Sequence, residues 1–199
     1  MLYSDQVEIS GLFFLALSDI KRYTDDMKNR KINTYGTQCL KDILGDSLVN
    51  RSKNKYFVYD GKEHPLKVSV TDVNSSIQNF NQMETINLAT HILGLGSVDG
   101  QIYWMILPVT EVARLSQGKK PQHGGNVFED YILQLDEINP SFYVKDSDIK
   151  TTLENIIENQ KTDSNYKLLE SRMRVEQLIK QQSRENYDAF LKDFVGKLP

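Results

Sequence analysis

Two short runs decide the fold of this chain: Tyr56-Phe57-Val58-Tyr59 and Leu66-Lys67-Val68-Ser69-Val70. Their β-branched and aromatic residues favour strands. Between them, Asp60-Gly61 is a dipeptide that commonly forms the turn of a hairpin. Because proline cannot donate a hydrogen bond to a strand ladder, we expect the second strand to begin at or just after Pro65. The sequence therefore predicts a β-hairpin here.

Outward from the hairpin, the apolar pattern alternates between helix and strand periods. The continuous apolar run 102–107 predicts a central strand covered on both faces. We expect Trp104 and Ile106 in the core, together with Phe13 and Ile20 of a first helix. The pattern predicts an α/β (or α+β) fold with a central mixed sheet flanked by helices. The predicted strands are 55–59, 66–70, 101–107 and 128–135, and the predicted helices are 4–30, 37–44, 76–93 and 110–116.

Two further helices are predicted at the C-terminal end, over 148–160 and from 164 to about 194. We therefore divide the chain into an α/β core domain, 1–145, and a C-terminal helical extension, 146–199. The extension packs on the core or forms a dimer interface. The last helix is long enough to pair with a copy of itself, which predicts a homodimer.

Composition narrows the classes of protein to consider. The chain has 199 residues, a net charge of −3 and one cysteine, Cys39, so an intramolecular disulfide is excluded. Its apolar stretch near the start, 11–17, is too short and lacks a basic flank, so we expect no signal peptide, and no run approaches the roughly 20 apolar residues of a membrane span. We expect a soluble, cytoplasmic protein with no membrane partner. The negative net charge argues against indiscriminate nucleic-acid binding and leaves local basic patches, as at 28–31 and 51–55.

Several familiar motifs are absent. The three histidines, His64, His91 and His123, have no metal-ligand spacing, and there is no Gly-x-Ser-x-Gly motif. The sequence Gly94-Leu95-Gly96 follows a predicted helix, so we interpret it as a helix end and not as a dinucleotide-binding loop. His91, within that helical pattern, is expected to be a packed or surface residue.

One arrangement does suggest chemistry. Asp60 closes one strand of the hairpin and Lys67 lies on the next. Phosphodiester cleavage uses carboxylates to hold Mg²⁺ and a nearby ammonium group to stabilise developing negative charge. As ordinary structural residues, Asp60 would only form the turn, Lys67 would be an exposed strand residue and Glu84 a solvent-facing helix residue.

These residues and the order of the elements resemble the PD-(D/E)XK nuclease superfamily, which includes many restriction endonucleases. The resemblance implies a Mg²⁺-dependent endonuclease that cleaves DNA, with Asp60 as the first metal-binding acid, Lys67 as the motif lysine and Glu8 as an auxiliary acid. The family usually has an acidic or polar residue two positions before its lysine, where this chain has Pro65. Glu63 from the turn or Glu84 from the following helix would then supply the second acid.

A Gly-rich polar segment would face the DNA in such an enzyme, because glycines let a backbone approach closely. Its candidate nucleic-acid-binding residues are Lys119, Lys120, Gln122, His123 and Asn126. Two alternatives stay open: a non-enzymatic protein- or nucleic-acid-binding module on the same scaffold, and an inactive nuclease-like domain that still binds nucleic acid. Convergence of Asp60, Lys67 and a second acid in one cleft would favour the enzyme.

Overall fold

A computed structural model describes residues 30–52, 54–75, 78–85, 87–122 and 130–195, without the side chains of 176, 180 and 187–195. The predicted helix 4–30 lies outside these residues except for its last one. Glu8, Phe13, Ile20, His123 and Asn126 also lie outside them.

The described chain contains eight strands and four helices. The strands are β1 (Leu48–Arg51), β2 (Asn54–Tyr59), β3 (Lys62–Asp72), β4 (Asn79–Glu84), β5 (Thr90–Gly96), β6 (Ile102–Leu107), β7 (Asp130–Gln134) and β8 (Tyr143–Val144). The helices are α1 (residues 30–44), α2 (Val109–Leu115), α3 (Ile149–Gln160) and α4 (Ser164–Val195). Short 3-10 turns occupy Gly45–Ser47, Leu135–Glu137, Pro140–Phe142 and Asp146–Asp148.

Six strands form one sheet in the order β1-β2-β3-β5-β6-β8. Strands β3 and β5 are parallel, and all the other neighbours in this sheet are antiparallel. The prediction of a mixed sheet flanked by helices is confirmed, and the sheet is mostly antiparallel.

The hairpin of β2 and β3 forms as predicted, with Tyr59 opposite Lys62 across a two-residue turn. Asp60 and Gly61 both have positive φ, 51° and 69°, as a type I′ turn requires. The expected start of the second strand at Pro65 is wrong, because β3 already begins at Lys62.

Strand β3 tolerates Pro65 because of the ladder pattern. Hydrogen-bonded and non-hydrogen-bonded pairs alternate along an antiparallel ladder, and the Tyr59–Lys62 pair next to the turn is hydrogen-bonded. The Tyr56–Pro65 pair is therefore a non-hydrogen-bonded one. The missing N–H of Pro65 points toward the other neighbour, β5, which begins pairing only at Leu66.

One face of the large sheet is covered by α1 and α3. A single apolar cluster joins Ile32 and Leu40 of α1 to Leu153 of α3 and to Phe57 and Trp104 of the sheet. Helix α1 includes the predicted helix 37–44 and stops before Gly45, whose φ of 54° is left-handed, as expected.

The opposite face is covered by α2 and by a second, two-stranded sheet made of β4 and β7. Helix α2 matches its prediction. The strand predicted at 128–135 exists as β7, but its placement in the central sheet is wrong, because its partner is β4. Its buried Tyr131 and Leu133 instead face the large sheet from outside.

The predicted helix 76–93 is wrong, because strands β4 and β5 occupy this part of the chain. Phe80 and Met83 are both fully buried, and their three-residue spacing imitates a helical stripe. A register shift between them, with Gln82 at φ 57°, brings both side chains to the same face. A β-bulge adds one residue to the strand period of two, which gives this spacing of three.

The interpretation of Gly94-Leu95-Gly96 as a helix end is also wrong, since all three residues belong to β5. Gly94 lies opposite Trp104, and a Cβ there would come within 3.1 Å of the indole Cζ3. The glycine thus makes room for Trp104. Both Trp104 and Ile106 are buried as predicted, in a strand that lies between β5 and β8.

The two C-terminal helices also match their predicted ranges. Ile149, Leu153 and Ile157 of α3 join the first apolar cluster, whereas α4 exposes several large aliphatic side chains. The division into domains at residue 145 stays a prediction. No helix among the described residues is long and apolar enough to cross a membrane.

Candidate functional site

A cleft of about 520 Å³ lies beside the start of β5. Strand β3 extends past β5 here, because their pairing begins only at Leu66 and Thr90. The first residues of β3 therefore have β2 on one side and the cleft on the other. The polar and charged side chains that line it belong to Asn54, Lys55, Lys67, Glu84, Asn87 and His91.

The predicted residues Lys67 and Glu84 meet in this cleft although they are 17 residues apart. Lys67 Nζ lies 3.1 Å from Glu84 Oε1, and the two side chains are 33% and 15% exposed. Asn87 Nδ2 donates to the other carboxylate oxygen at 2.7 Å. The helical setting predicted for Glu84 is wrong, because it is the last residue of β4.

His91, which lines the cleft, binds the backbone at the end of β4. The Glu84 N–H donates to His91 Nε2 at 3.2 Å, so Nε2 is the acceptor and Nδ1 carries the proton. Nδ1 in turn donates to the Ala89 carbonyl at 3.1 Å. Complete burial, with a smaller contribution from the charge of Lys67, lowers the pKa of His91 to about 3. His91 is therefore the packed residue that was expected, but in a strand.

Lys55 of β2 brings a second ammonium group to the cleft. Burial lowers the pKa of Lys55, and the charge of Lys67 adds to the decrease. Among the described residues that line the cleft, there are thus two lysines and a single carboxylate, and the register places Lys55 and Lys67 on opposite faces at the edge of the sheet. The cleft carries a net positive charge and favours an anionic ligand.

Asp60 and Glu63 do not line this cleft. Asp60 lies at the hairpin tip, and the five steps along the strand from Lys62 to Lys67 span roughly 16 Å. A hydrogen bond to Glu158 raises the pKa of Lys161, and the nearby charge of Asp60 raises it further. Asp60 therefore contributes to the junction between the hairpin and α3.

Glu63 of β3 forms an ion pair with Arg51 of β1, the strand on the other side of β2. Arg51 Nε lies 2.8 Å from both carboxylate oxygens of Glu63, and its Nη2 makes a further contact. Hydrogen bonding from Arg51 lowers the pKa of Glu63. The pair is partly exposed, so it contributes little to the stability of the fold, although it holds the Glu63 carboxylate beside Arg51.

The predicted DNA-facing segment is anchored to the second sheet. Lys119 Nζ lies 2.6 Å from Glu137 Oε1, and the Gln122 N–H donates to the Asp130 carbonyl at 2.6 Å. The side chain of Gln122 accepts a hydrogen bond from the Gln82 N–H at 3.3 Å. Lys120 is exposed, and none of these three residues lines the cleft.

Asp130 is a carboxylate that the sequence reasoning missed. It lies directly opposite Glu84 in the β4–β7 pair, where the Cβ atoms of paired residues are about 5 Å apart on one face. Its Oδ1 is buried and has no hydrogen-bond partner within the described chain. A buried oxygen without a partner is costly unless something satisfies it. No group of three His, Cys, Asp or Glu side chains suited to a metal occurs among the described residues.

Comparison with known proteins gives no match to any family model, any curated protein or any solved structure. The function must therefore be argued from the cleft itself.

Proposed function

We propose that the chain is a nucleic-acid-binding module on a nuclease-like scaffold, and that the cleft holds a phosphate of DNA. The observation that carries the proposal is the pair of lysines, Lys55 and Lys67, in one cleft where Glu84 is the single carboxylate among the described lining residues. Lys55 and Lys67 belong to neighbouring strands, so the sheet brings both positive charges to the same edge without a ligand.

The depressed pKa of Lys55 supports an anion at this position. Burial, and to a smaller extent the charge of Lys67, lowers the pKa of Lys55, and a phosphate beside the two ammonium groups would favour their charged forms. Glu84 would then give up Lys67 to the phosphate and keep its hydrogen bond from Asn87. Such binding depends strongly on salt, because each phosphate that is neutralised releases counterions.

Substitution of Lys67 tests this proposal. We expect Lys67→Ala to weaken DNA binding about tenfold or more, since a hydrogen bond to a charged group contributes roughly 1.5–3 kcal/mol. Glu84→Gln should strengthen binding, because Lys67 then has no competing carboxylate. Fluorescence anisotropy with labelled single- and double-stranded DNA at several salt concentrations measures both effects.

Lys62→Ala is the matched control, because Lys62 is an exposed lysine of the same strand and does not line the cleft. Its affinity for DNA should stay within about twofold of the parent value. Equal losses for Lys62→Ala and Lys67→Ala would point to general charge and contradict a specific cleft.

The second candidate is a Mg²⁺-dependent endonuclease of restriction type with a restriction-endonuclease-like fold. It is favoured by the contact between Lys67 and Glu84 and by the unpartnered oxygen of Asp130 opposite Glu84. Glu84 and Asp130 would hold Mg²⁺, a Lewis acid for phosphodiester hydrolysis, and Lys67 would stabilise developing negative charge. Asp60 and Glu63 have no part in this site.

Cleavage assays on DNA and RNA with Mg²⁺ and Mn²⁺ separate the two candidates. The enzyme hypothesis expects cleavage by the parent protein and its loss in Lys67→Ala and in Asp130→Asn. Binding of DNA without cleavage under all of these conditions would leave the binding module.

We also propose a homodimer formed through α4. Leu169 and Met173, which are partly buried, lie on a different side of the helix from three of its four exposed aliphatic side chains in the described part, Leu168, Val175 and Ile179. The exposed three recur at spacings of seven and four, which form one stripe on a helix.

Val175→Glu should convert the dimer to a monomer, because it places a charge in the middle of the apolar stripe. Analytical ultracentrifugation at several protein concentrations measures the change, and Gln181→Glu on another side of α4 is the control. A parent protein that sediments as a monomer at high concentration, with and without DNA, would contradict the dimer.

A further inference from the structure

A second groove, of about 570 Å³, opens at the far edge of the large sheet. Strand β8 pairs only with Trp104 and Met105 of β6, so β6 extends past it by two residues. Beyond Val144 the chain turns into the 3-10 turn Asp146–Asp148. The space between these two segments is the groove. We call it the tyrosine groove, lined by Gln101, Tyr103, Tyr143, Lys145, Asp146 and Ser147.

Tyr103 and Tyr143 project from the same face of the sheet. Met105 lies opposite Tyr143, and residues two apart in a strand share a face, so Tyr103 shares the face of Met105. The two tyrosines are thus diagonal neighbours, and such positions are roughly 7–8 Å apart.

The apolar cover of this face ends before it reaches these two rings. Met105 and Leu93 are completely buried under the second sheet, whereas Tyr103 and Tyr143 are 53% and 42% exposed. Each exposed ring is a large apolar surface with a polar tip, which suits a site that is filled by a ligand.

The backbone spacing of the Tyr103 and Tyr143 positions would admit one planar aromatic group between their rings. Stacked rings make carbon contacts at about 3.5–4 Å, so a flat group between two rings needs a gap of about 7–8 Å. Lys145 and Asp146, both exposed, place charges of opposite sign beside the rings. Stacking, not net charge, would therefore select the ligand.

We propose that the tyrosine groove binds an unpaired base of single-stranded nucleic acid. This inference rests on the proposed function, because it gives the nucleic acid a second contact besides the lysine cleft. Base stacking on aromatic side chains tolerates all four bases, so the groove would prefer single strands without reading sequence.

Two labelled oligonucleotides of equal length and charge test the proposal by fluorescence anisotropy: a 12-residue oligothymidylate and a 12-residue abasic strand. The parent protein should bind the strand with bases about ten times more tightly. Tyr103→Ala and Tyr143→Ala should abolish this difference and leave the affinity for the abasic strand unchanged. Tyr103→Phe should keep the difference, because the ring remains. Circular dichroism confirms that each variant is folded.

The Lys67→Ala variant distinguishes the contribution of the lysine cleft from that of the groove. It should weaken binding of both oligonucleotides by the same factor. Equal binding of both strands by the parent protein would overturn the groove and leave the cleft. A preference for bases that is lost with Tyr103→Ala, together with affinities for both strands that Lys67→Ala leaves unchanged, would overturn the cleft and support the groove. No binding of either strand would overturn both.

Discussion

Trp104→Ala is expected to lower the free energy of unfolding by about 3–5 kcal/mol, the range for truncating a large buried aromatic side chain. Trp104 is 1% exposed and belongs to the apolar cluster beneath α1 and α3. The cavity could not close easily, because its neighbours are strands on both sides. Urea unfolding followed by far-ultraviolet circular dichroism measures the change.

Tyr103→Ala is the matched control, because Tyr103 is the preceding residue in the same strand and is 53% exposed. It should lower the free energy of unfolding much less. Gly94→Ala should also destabilise, since its Cβ would come within 2.9 Å of Ile102 Cγ2 and 3.1 Å of the indole. Unfolding of Trp104→Ala at the same urea concentration as the parent protein would contradict this core.

The parts of the fold that the sequence predicts well are those with one dominant local signal. The positive-φ pair Asp60-Gly61 fixes the hairpin turn, and the flanking β-branched and aromatic residues leave little alternative to strands. The run 102–107 is apolar throughout, as expected of a strand with cover on both faces.

The predicted helix 76–93 failed because two separate strands combined to imitate one helix. The bulge at Gln82 gives Phe80 and Met83 a helical spacing. Strand β5, buried along its whole length, then adds apolar residues at every spacing, so periodicity no longer distinguishes the two structures. The signal against a helix was Gly94 and Gly96 within the apolar run, which mark close contact with β6.

The candidate site could be predicted only in part, because sequence distance says little about which strands become neighbours. Lys67 and Glu84 were identified, although Glu84 reaches the cleft from a strand and not from a helix. Asp60 was chosen for its closeness to Lys67 in sequence, yet a hairpin separates its tip from its base by the length of the strand. Asp60, the first metal-binding acid that the resemblance implies, therefore lies apart from the cleft that holds Lys67 and Glu84.

Lys55 and Asp130 were missed because their roles come from pairing across strands. Lys55 reaches the cleft from β2, beside the end of β3. Asp130 faces Glu84 only because Asn79–Glu84 forms strand β4, which pairs with β7, instead of part of the predicted helix. The sequence predicts a packed or surface His91, but its hydrogen bond from the Glu84 N–H forms only because both residues lie in strands instead of one helix.

Burial of neutral His91 makes the fold sensitive to acid. In the unfolded chain a histidine titrates near its ordinary pKa of about 6.5, whereas burial lowers the pKa of His91 in the folded protein to about 3. Between these values the unfolded state binds a proton that the folded state does not bind. Stability is therefore complete above pH ~6.5 and is lost as the pH falls toward ~3.

We expect His91 alone to remove about 3 kcal/mol of the free energy of unfolding between pH ~6.5 and pH ~4, from about 1.4 kcal/mol per pH unit. Urea unfolding at a series of pH values measures the slope. Ion-paired glutamates such as Glu63 and Glu158 also lose stabilisation in acid, so the informative quantity is the difference from His91→Gln. Glutamine keeps a side-chain acceptor for the Glu84 N–H but does not titrate, so the slope should be shallower in this variant. Equal slopes in the parent protein and in His91→Gln would mean that His91 is charged in the folded state, and would contradict its assigned role as a neutral acceptor beneath the cleft.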